Sequence, residues 1–271
     1  MPSRSRVSSI YRVIQPIAAR RHRHGPAVHA LTAFVGRDNE MRLVLEKWES
    51  AREGAGQLVL VTGEPGIGKS PLAEEFRAHI KEDAHLWIDG AGEQFFESTP
   101  FHAVTQILGQ GFGWRGDESA EERTIQLERS LELAGLKLEE AVPLFAEMLN
   151  LPIPQKYPPL LFAPDQKRKR LLSNLLSWVL NLARLQPMVI AIEDMHWVDP
   201  STLELMHTLS EQAATAPLML LFTADAALYR AAGVSGPMAG ASPPCADHAA
   251  SPQRQPYARD GHGRGRPGSL G

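Results

Sequence analysis

The chain has a single cysteine, Cys245, among 271 residues, so an internal disulfide is excluded. A reducing cytoplasm is the expected home of such a sequence. No apolar run comes near the ~18 residues that a membrane-spanning helix needs, and no secretory h-region is present, so we expect no membrane contact. Acids are missing from residues 1–30, which carry six Arg, while residues 226–271 carry five Arg against Asp247 and Asp260. Taking that +6 and +3 from the overall −3 leaves −12 on residues 31–225. A body this acidic argues against nucleic-acid binding by the core, because phosphate backbones are gripped by clustered Lys and Arg. Residues 226–271 are short of large aliphatics, with only Leu228, Val234 and Leu270 against ten Ala, eight Gly and six Pro. Such a segment cannot bury enough apolar area to offset its ordering entropy.

These shortages divide the chain into a basic linker at 1–30, a folded body at 31–225 and a disordered Ala/Gly/Pro/Arg-rich tail at 226–271. The first segment imitates a transit peptide and His22-Arg23-His24 imitates a metal site, but both read as plain linker. Within the body, Asp38 is placed to cap a helix whose apolar positions Met41, Val44, Leu45 and Trp48 follow helical spacing. Leu58 to Val61 forms an apolar strand, Leu72, Phe76 and Ile80 recur every four residues, and His85 to Asp89 suits a second strand. Residues 117–150 and 164–185 read as helical, the first split by Gly135 and Pro143, and Lys167 to Arg170 reads as a solvated basic run. Met188 to Ile192 and Pro217 to Phe222 are apolar throughout, as strands covered on both faces are. Between them Asp199-Pro200-Ser201 opens a further helix. The alternation predicts an α/β fold with a doubly wound parallel sheet and a ligand at the carboxyl ends of its strands.

Gly63 to Ser70 reads GEPGIGKS, a complete G-x-x-x-x-G-K-[ST] loop between the strand and a helix. In that context the backbone N–H groups of Gly63, Glu64, Pro65, Gly66, Ile67 and Gly68, Pro65 excepted, converge at the positive end of the helix. Lys69 reaches toward β- and γ-phosphates and Ser70 offers a hydroxyl to Mg²⁺. The loop therefore predicts binding of a nucleoside triphosphate. The strand Val189 to Ile192 runs into Glu193-Asp194, a pair of carboxylates. One of the two serves Mg²⁺ and the other orients and deprotonates water for attack on a γ-phosphate.

The strings VGRDNEM at 35–41, GEPGIGKS, IEDMHWVDPSTLEL at 192–205 and LMLLFTA at 218–224 occur in order over residues 31–224. In them the chain resembles the ATPase module of the STAND class, an origin-recognition-like AAA relative, of the kind found behind bacterial adenylate or guanylate cyclase domains. Tyr11-Arg12-Val13 is similar to the join that follows the cyclase domain in those proteins, although no cyclase domain is in this sequence. The resemblance implies ATP and Mg²⁺ as ligands, Glu193 with Ser70 on the metal, Asp194 activating water, Val35 and Arg37 against the adenine, and Thr223 as a polar sensor. His196 and Trp197 match family positions too, and read equally as a packed turn beside the site.

Two residues depart from that family. Pro71 has no N–H where the family donates one to the α-phosphate, so affinity should fall by roughly ten- to a hundredfold. Asp225 stands where the family's Thr-x-Arg-Pro string carries an Arg that approaches the γ-phosphate, so hydrolysis should be weak or lost. The tail has the composition of a GC-rich gene read out of frame, and a Thr-x-Arg-Pro continuation in another frame near codons 224–226 is the expected sign. The family's strand order is 5-1-4-3-2, and both its fifth strand and its helical lid come from beyond residue 225. Their loss predicts that Leu58 to Val61 is an exposed apolar sheet edge prone to self-association. The leading expectation is an ATP-binding switch that acts on an effector or regulatory domain; the alternative is a non-catalytic remnant or interaction fragment. A small-molecule kinase is disfavoured, because Glu193-Asp194 with His196-Trp197 points to water as the acceptor.

Overall fold

A computed structural model of the chain describes residues 10–12 and 37–225. The elements run β1 (Ile10–Arg12), α1 (Asp38–Arg52), β2 (Gln57–Gly63), α2 (Lys69–His79), β3 (Leu86–Ala91) and α3 (His102–Gly111). They continue with α4 (Ala120–Leu133), α5 (Leu138–Met148), α6 (Pro164–Leu185), β4 (Met188–Glu193), a 3-10 turn (Met195–Trp197), α7 (Pro200–Gln212), a second 3-10 turn (Ala213–Thr215) and β5 (Leu218–Asp225). The described strands form one sheet in the order β1-β2-β5-β4-β3, with every neighbouring pair parallel. From β2 onward this is the expected 1-4-3-2 order.

Period-two alternation along each strand sorts the side chains to two cores. Val59, Val61, Val189, Ala191, Met219 and Leu221 pack under α1 and α2, joined by Trp48, Leu72, Phe76 and Ile80. Leu60, Ile88, Ile190, Ile192, Leu220 and Phe222 face the larger core built with α3 to α7. Helices on both faces bury β5 throughout and β4 from Met188 to Ile192, which is why those segments are apolar without alternation.

Several expectations are corrected. The outer edge of β2 is covered over Leu60 to Thr62 by Ile10–Arg12, which pairs parallel with it. The fifth position of the sheet is thus filled from the N-terminal side, and only Gln57 to Val59 and Gly63 lack a neighbour there among the described residues. Asp38 is the first residue of α1, not its cap; Arg37 holds the cap position with no side-chain cap bond. Pro143 does not split a helix but lies buried inside α5, and the break falls at Gly135, whose φ of 70° closes α4. The helix α3 carried no prediction. The basic run of α6 is paired, Lys167 to Glu147, Arg168 to Glu204 and Arg170 to Glu140. The linker around Ile10–Arg12, His22, His24, Val35 and the tail from 226 lie outside the described residues.

Candidate nucleotide site

The loop between β2 and α2 takes the shape that its glycines permit. Gly66 and Gly68 have φ of 75° and 84°, a region costly for residues with a Cβ, and Gly68 hands the chain into α2. Ile67 is fully buried in the core under α1 and α2, which fastens the middle of the loop while Glu64 and Pro65 stay exposed. The Lys69 side chain is folded back, its Nζ donating to Gly63 O at 3.0 Å and Glu64 O at 3.1 Å. Burial pulls the Lys69 ammonium below its ordinary range, and the carboxylates of Asp225, Asp194 and Glu193 push it back up.

The acid pair meets this loop across the sheet. The Ser70 hydroxyl donates to Glu193 Oε2, joining residues 123 positions apart at the ends of β4 and α2. Burial raises the Glu193 pKa, the Ser70 hydroxyl opposes that, and the nearby Asp194, Glu74 and Asp89 carboxylates add to it. Asp194 sits at φ 52°, a left-handed conformation that Asp tolerates better than most residues, and this turns the chain from β4 into the 3-10 turn. Its N–H donates to Thr223 Oγ1 at 3.1 Å, and the Asp225 N–H donates to His196 Nδ1 at 3.1 Å. Nδ1 therefore carries no proton, and the two bonds tie the ends of β4 and β5 together. Trp197 lies against His196 with ring centroids 5.1 Å apart. Gly92 closes the neighbouring loop: a Cβ there would fall 2.4 Å from Asp194 O.

The structure therefore brings together Lys69, Ser70, Glu193, Asp194 and Thr223, all read from sequence. Asp225 joins them, paired with Gly63 in the β2 to β5 register and buried. Arg37 meets the loop itself, donating to Gly68 O at 3.0 Å and to Ile67 O. Asp199 caps α7 through Ser201 and Thr202, as the sequence suggested, and also accepts the Phe101 N–H at 2.9 Å, a link across 98 residues that sequence reasoning missed. The site suits Mg²⁺ with a triphosphate: one carboxylate and one hydroxyl converge, leaving the remaining positions to phosphate and water, as this hard cation prefers. Among the described residues no group of three His, Cys, Asp or Glu offers a closed metal cage.

A parallel sheet in this order, with a glycine loop leading into a helix and acids ending the strand two places away, defines a P-loop NTPase fold. The family model of the AAA ATPase domain matches residues 33–221, and the chain belongs to that family. It is also 24% identical over 202 residues to an uncharacterized protein of Rhizobium meliloti (strain 1021), a match covering 70% of this chain and 18% of that protein. The chain thus spans under a fifth of that relative's length. No helix among the described residues is long and apolar enough to cross a membrane.

Proposed function

We propose that this AAA ATPase domain is a nucleotide-dependent switch of the STAND type that binds Mg-ATP and passes its state to an attached effector, with slow or no hydrolysis. The observation that carries the reading is the Ser70 to Glu193 bond beside a loop whose own lysine is folded onto it. On binding, Lys69 would exchange the Gly63 and Glu64 carbonyls for phosphate oxygens, a charge-assisted pairing stronger than the one it leaves. Ser70 and Glu193 would hold Mg²⁺, which when bound neutralises phosphate charge. Asp194 is the acid left to orient water and take its proton. Thr223 and His196, bonded to the backbone of Asp194 and Asp225, would carry a change at the acids into β5.

The weak step follows from Asp225. By the resemblance it takes the position of an Arg that would offset charge on the γ-phosphate, and groups of that kind contribute about 10³–10⁵ in rate. Support for an attached effector comes from the resemblance to modules behind bacterial cyclase domains and from the far greater length of the Rhizobium meliloti relative. Mg-ATP binding and phosphate release, measured on the wild type beside Lys69→Ala, Asp225→Asn and Asp225→Arg, test the reading. We expect binding by the wild type, its loss in Lys69→Ala, and a rise in turnover in the Asp225 variants, Asp225→Asn serving if the buried arginine does not fold. Folded wild type with no affinity for Mg-ATP at millimolar concentration would leave only the non-catalytic remnant. An ordinary ATPase rate unchanged by Asp225→Asn would overturn the account of the weak step.

A further inference from the structure

Arg37 stands at the head of α1 and reaches the outer face of the phosphate loop. Its two terminal nitrogens donate to Gly68 O, at 3.0 Å, and to Ile67 O. The packing is close: a Cβ on Gly68 would lie 3.3 Å from both nitrogens. In a planar trans peptide the carbonyl of one residue and the N–H of the next point in opposite directions. Holding Ile67 O therefore aims the Gly68 N–H away from Arg37, and holding Gly68 O aims the Lys69 N–H the same way. The guanidinium is planar and rigid, so its fork fixes two adjacent peptide planes at once, which an ammonium cannot do. Gly68, between those two planes, is in the left-handed region; its carbonyl also accepts the Leu72 N–H at 3.2 Å as α2 begins, so Arg37 reinforces that plane and adds a hold on the Ile67 carbonyl before it.

We infer that Arg37 is a positioning residue for the phosphate loop, orienting the Gly68 and Lys69 amides toward bound phosphate from behind, and that its effect on affinity runs through the phosphates and not through the base. The inference rests on the nucleotide-binding reading above. It is tested by calorimetric titration of Mg-ATP, Mg-GTP and Mg-pyrophosphate into wild type, Arg37→Lys and Arg37→Ala, with hydrogen exchange of the loop amides in the ligand-free proteins. We expect Arg37→Ala to weaken all three ligands by one common factor of about tenfold or more, as for lost charge-assisted bonds. Exchange at Gly68 and Lys69 should quicken, and Arg37→Lys should fall between. A loss for ATP alone, with pyrophosphate unchanged, would make Arg37 a base contact and overturn the inference, as would unchanged affinity for all three. If Arg37→Ala does not fold by circular dichroism, the same two outcomes in Arg37→Lys decide. A wild type that binds none of the three removes the nucleotide reading, and this inference with it.

Discussion

Replacing Pro71 with Ala should tighten ATP binding and loosen the fold at once. Pro71 is the third residue of α2 and its ring is exposed, so its removal costs no packing. Proline is tolerated there because a first-turn N–H has no partner within the helix. The same N–H, at the positive end of α2, is the one the family offers to an α-phosphate. Alanine restores it, and a hydrogen bond to a charged group contributes roughly 1.5–3 kcal/mol, or about ten- to a hundredfold in Kd. The unfolded chain meanwhile gains freedom that proline had denied it, costing about 0.4–1 kcal/mol of stability, or about 1–4 °C in Tm for a body of this size. Calorimetry with Mg-ATP and thermal melting without ligand would show the two effects with opposite signs. An unchanged Kd for ATP would refute the reasoning. A tightening shared in full by pyrophosphate would refute it too, because that ligand has no α-phosphate to receive the new donor.

Asp199→Ala should destabilise the fold by about 2–4 kcal/mol in urea denaturation, losing a helix cap and stranding the buried Phe101 N–H; a loss below about 1 kcal/mol would show that Phe101 finds another acceptor. Glu193→Gln should raise Tm near neutral pH in the ligand-free protein. The folded pKa of Glu193 is raised by burial, so this group's stabilisation is complete below its unfolded pKa and is lost as pH rises through the higher folded value. The neutral amide removes that loss, and melting curves across about pH 4 to 8 should converge at the acid end and separate toward the alkaline end. Parallel curves would mean that Glu193 carries no such penalty.

What could be read in the sequence was what local chemistry alone decides. The helix over 164–185 has the observed bounds of α6, and β4 and β5 announce themselves because burial on both faces leaves no polar position to confuse the period. The loop and the acid pair were legible because backbone approach to phosphate demands glycine and metal demands carboxylate. The failures are tertiary. The segment of α3 ends in Gly109 and Gly111, poor helix formers, yet a Cβ at Gly111 would lie 2.5 Å from the Trp178 ring. Packing against a residue 67 positions away set that glycine, and local propensity could not show it. Pro143 misled in the same way: it lies inside α5 with its ring buried, a tertiary setting that local propensity does not show. Three residues, Ile10–Arg12, are too few for a strand signal, and their place is decided by the open edge of β2. Arg37 was found as a site residue, but its bonds to the Gly68 and Ile67 carbonyls were not, since its spacing from the loop does not say which side of the loop it meets.

The ligand-free contacts set a condition on how such a site can act. Lys69 is held by two carbonyls and Ser70 by Glu193, so each side chain that would meet a phosphate or its metal already has a partner inside the protein. Binding therefore exchanges bonds and does not simply add them, and only the difference between old and new partners appears as affinity. The Arg37 clamp and the Asp194 to Thr223 and Asp225 to His196 bonds use none of the groups that the proposed reading gives to the ligand, so on that reading they need not break. The contacts thus divide into some that a nucleotide must displace and others that remain to transmit the displacement. Release of Glu193 from Ser70 acts on the end of β4, and the turn after β4 reaches β5 through the Asp194 N–H on Thr223 Oγ1 and the Asp225 N–H on His196 Nδ1. A nucleotide that drew Glu193 toward a metal would therefore shift the last residues of β5 even if no phosphate were ever cleaved. On the proposed reading, Asp225 would therefore slow turnover without by itself disabling a switch: the transmission would use its backbone N–H, and only the chemistry would call for a cation in its side chain.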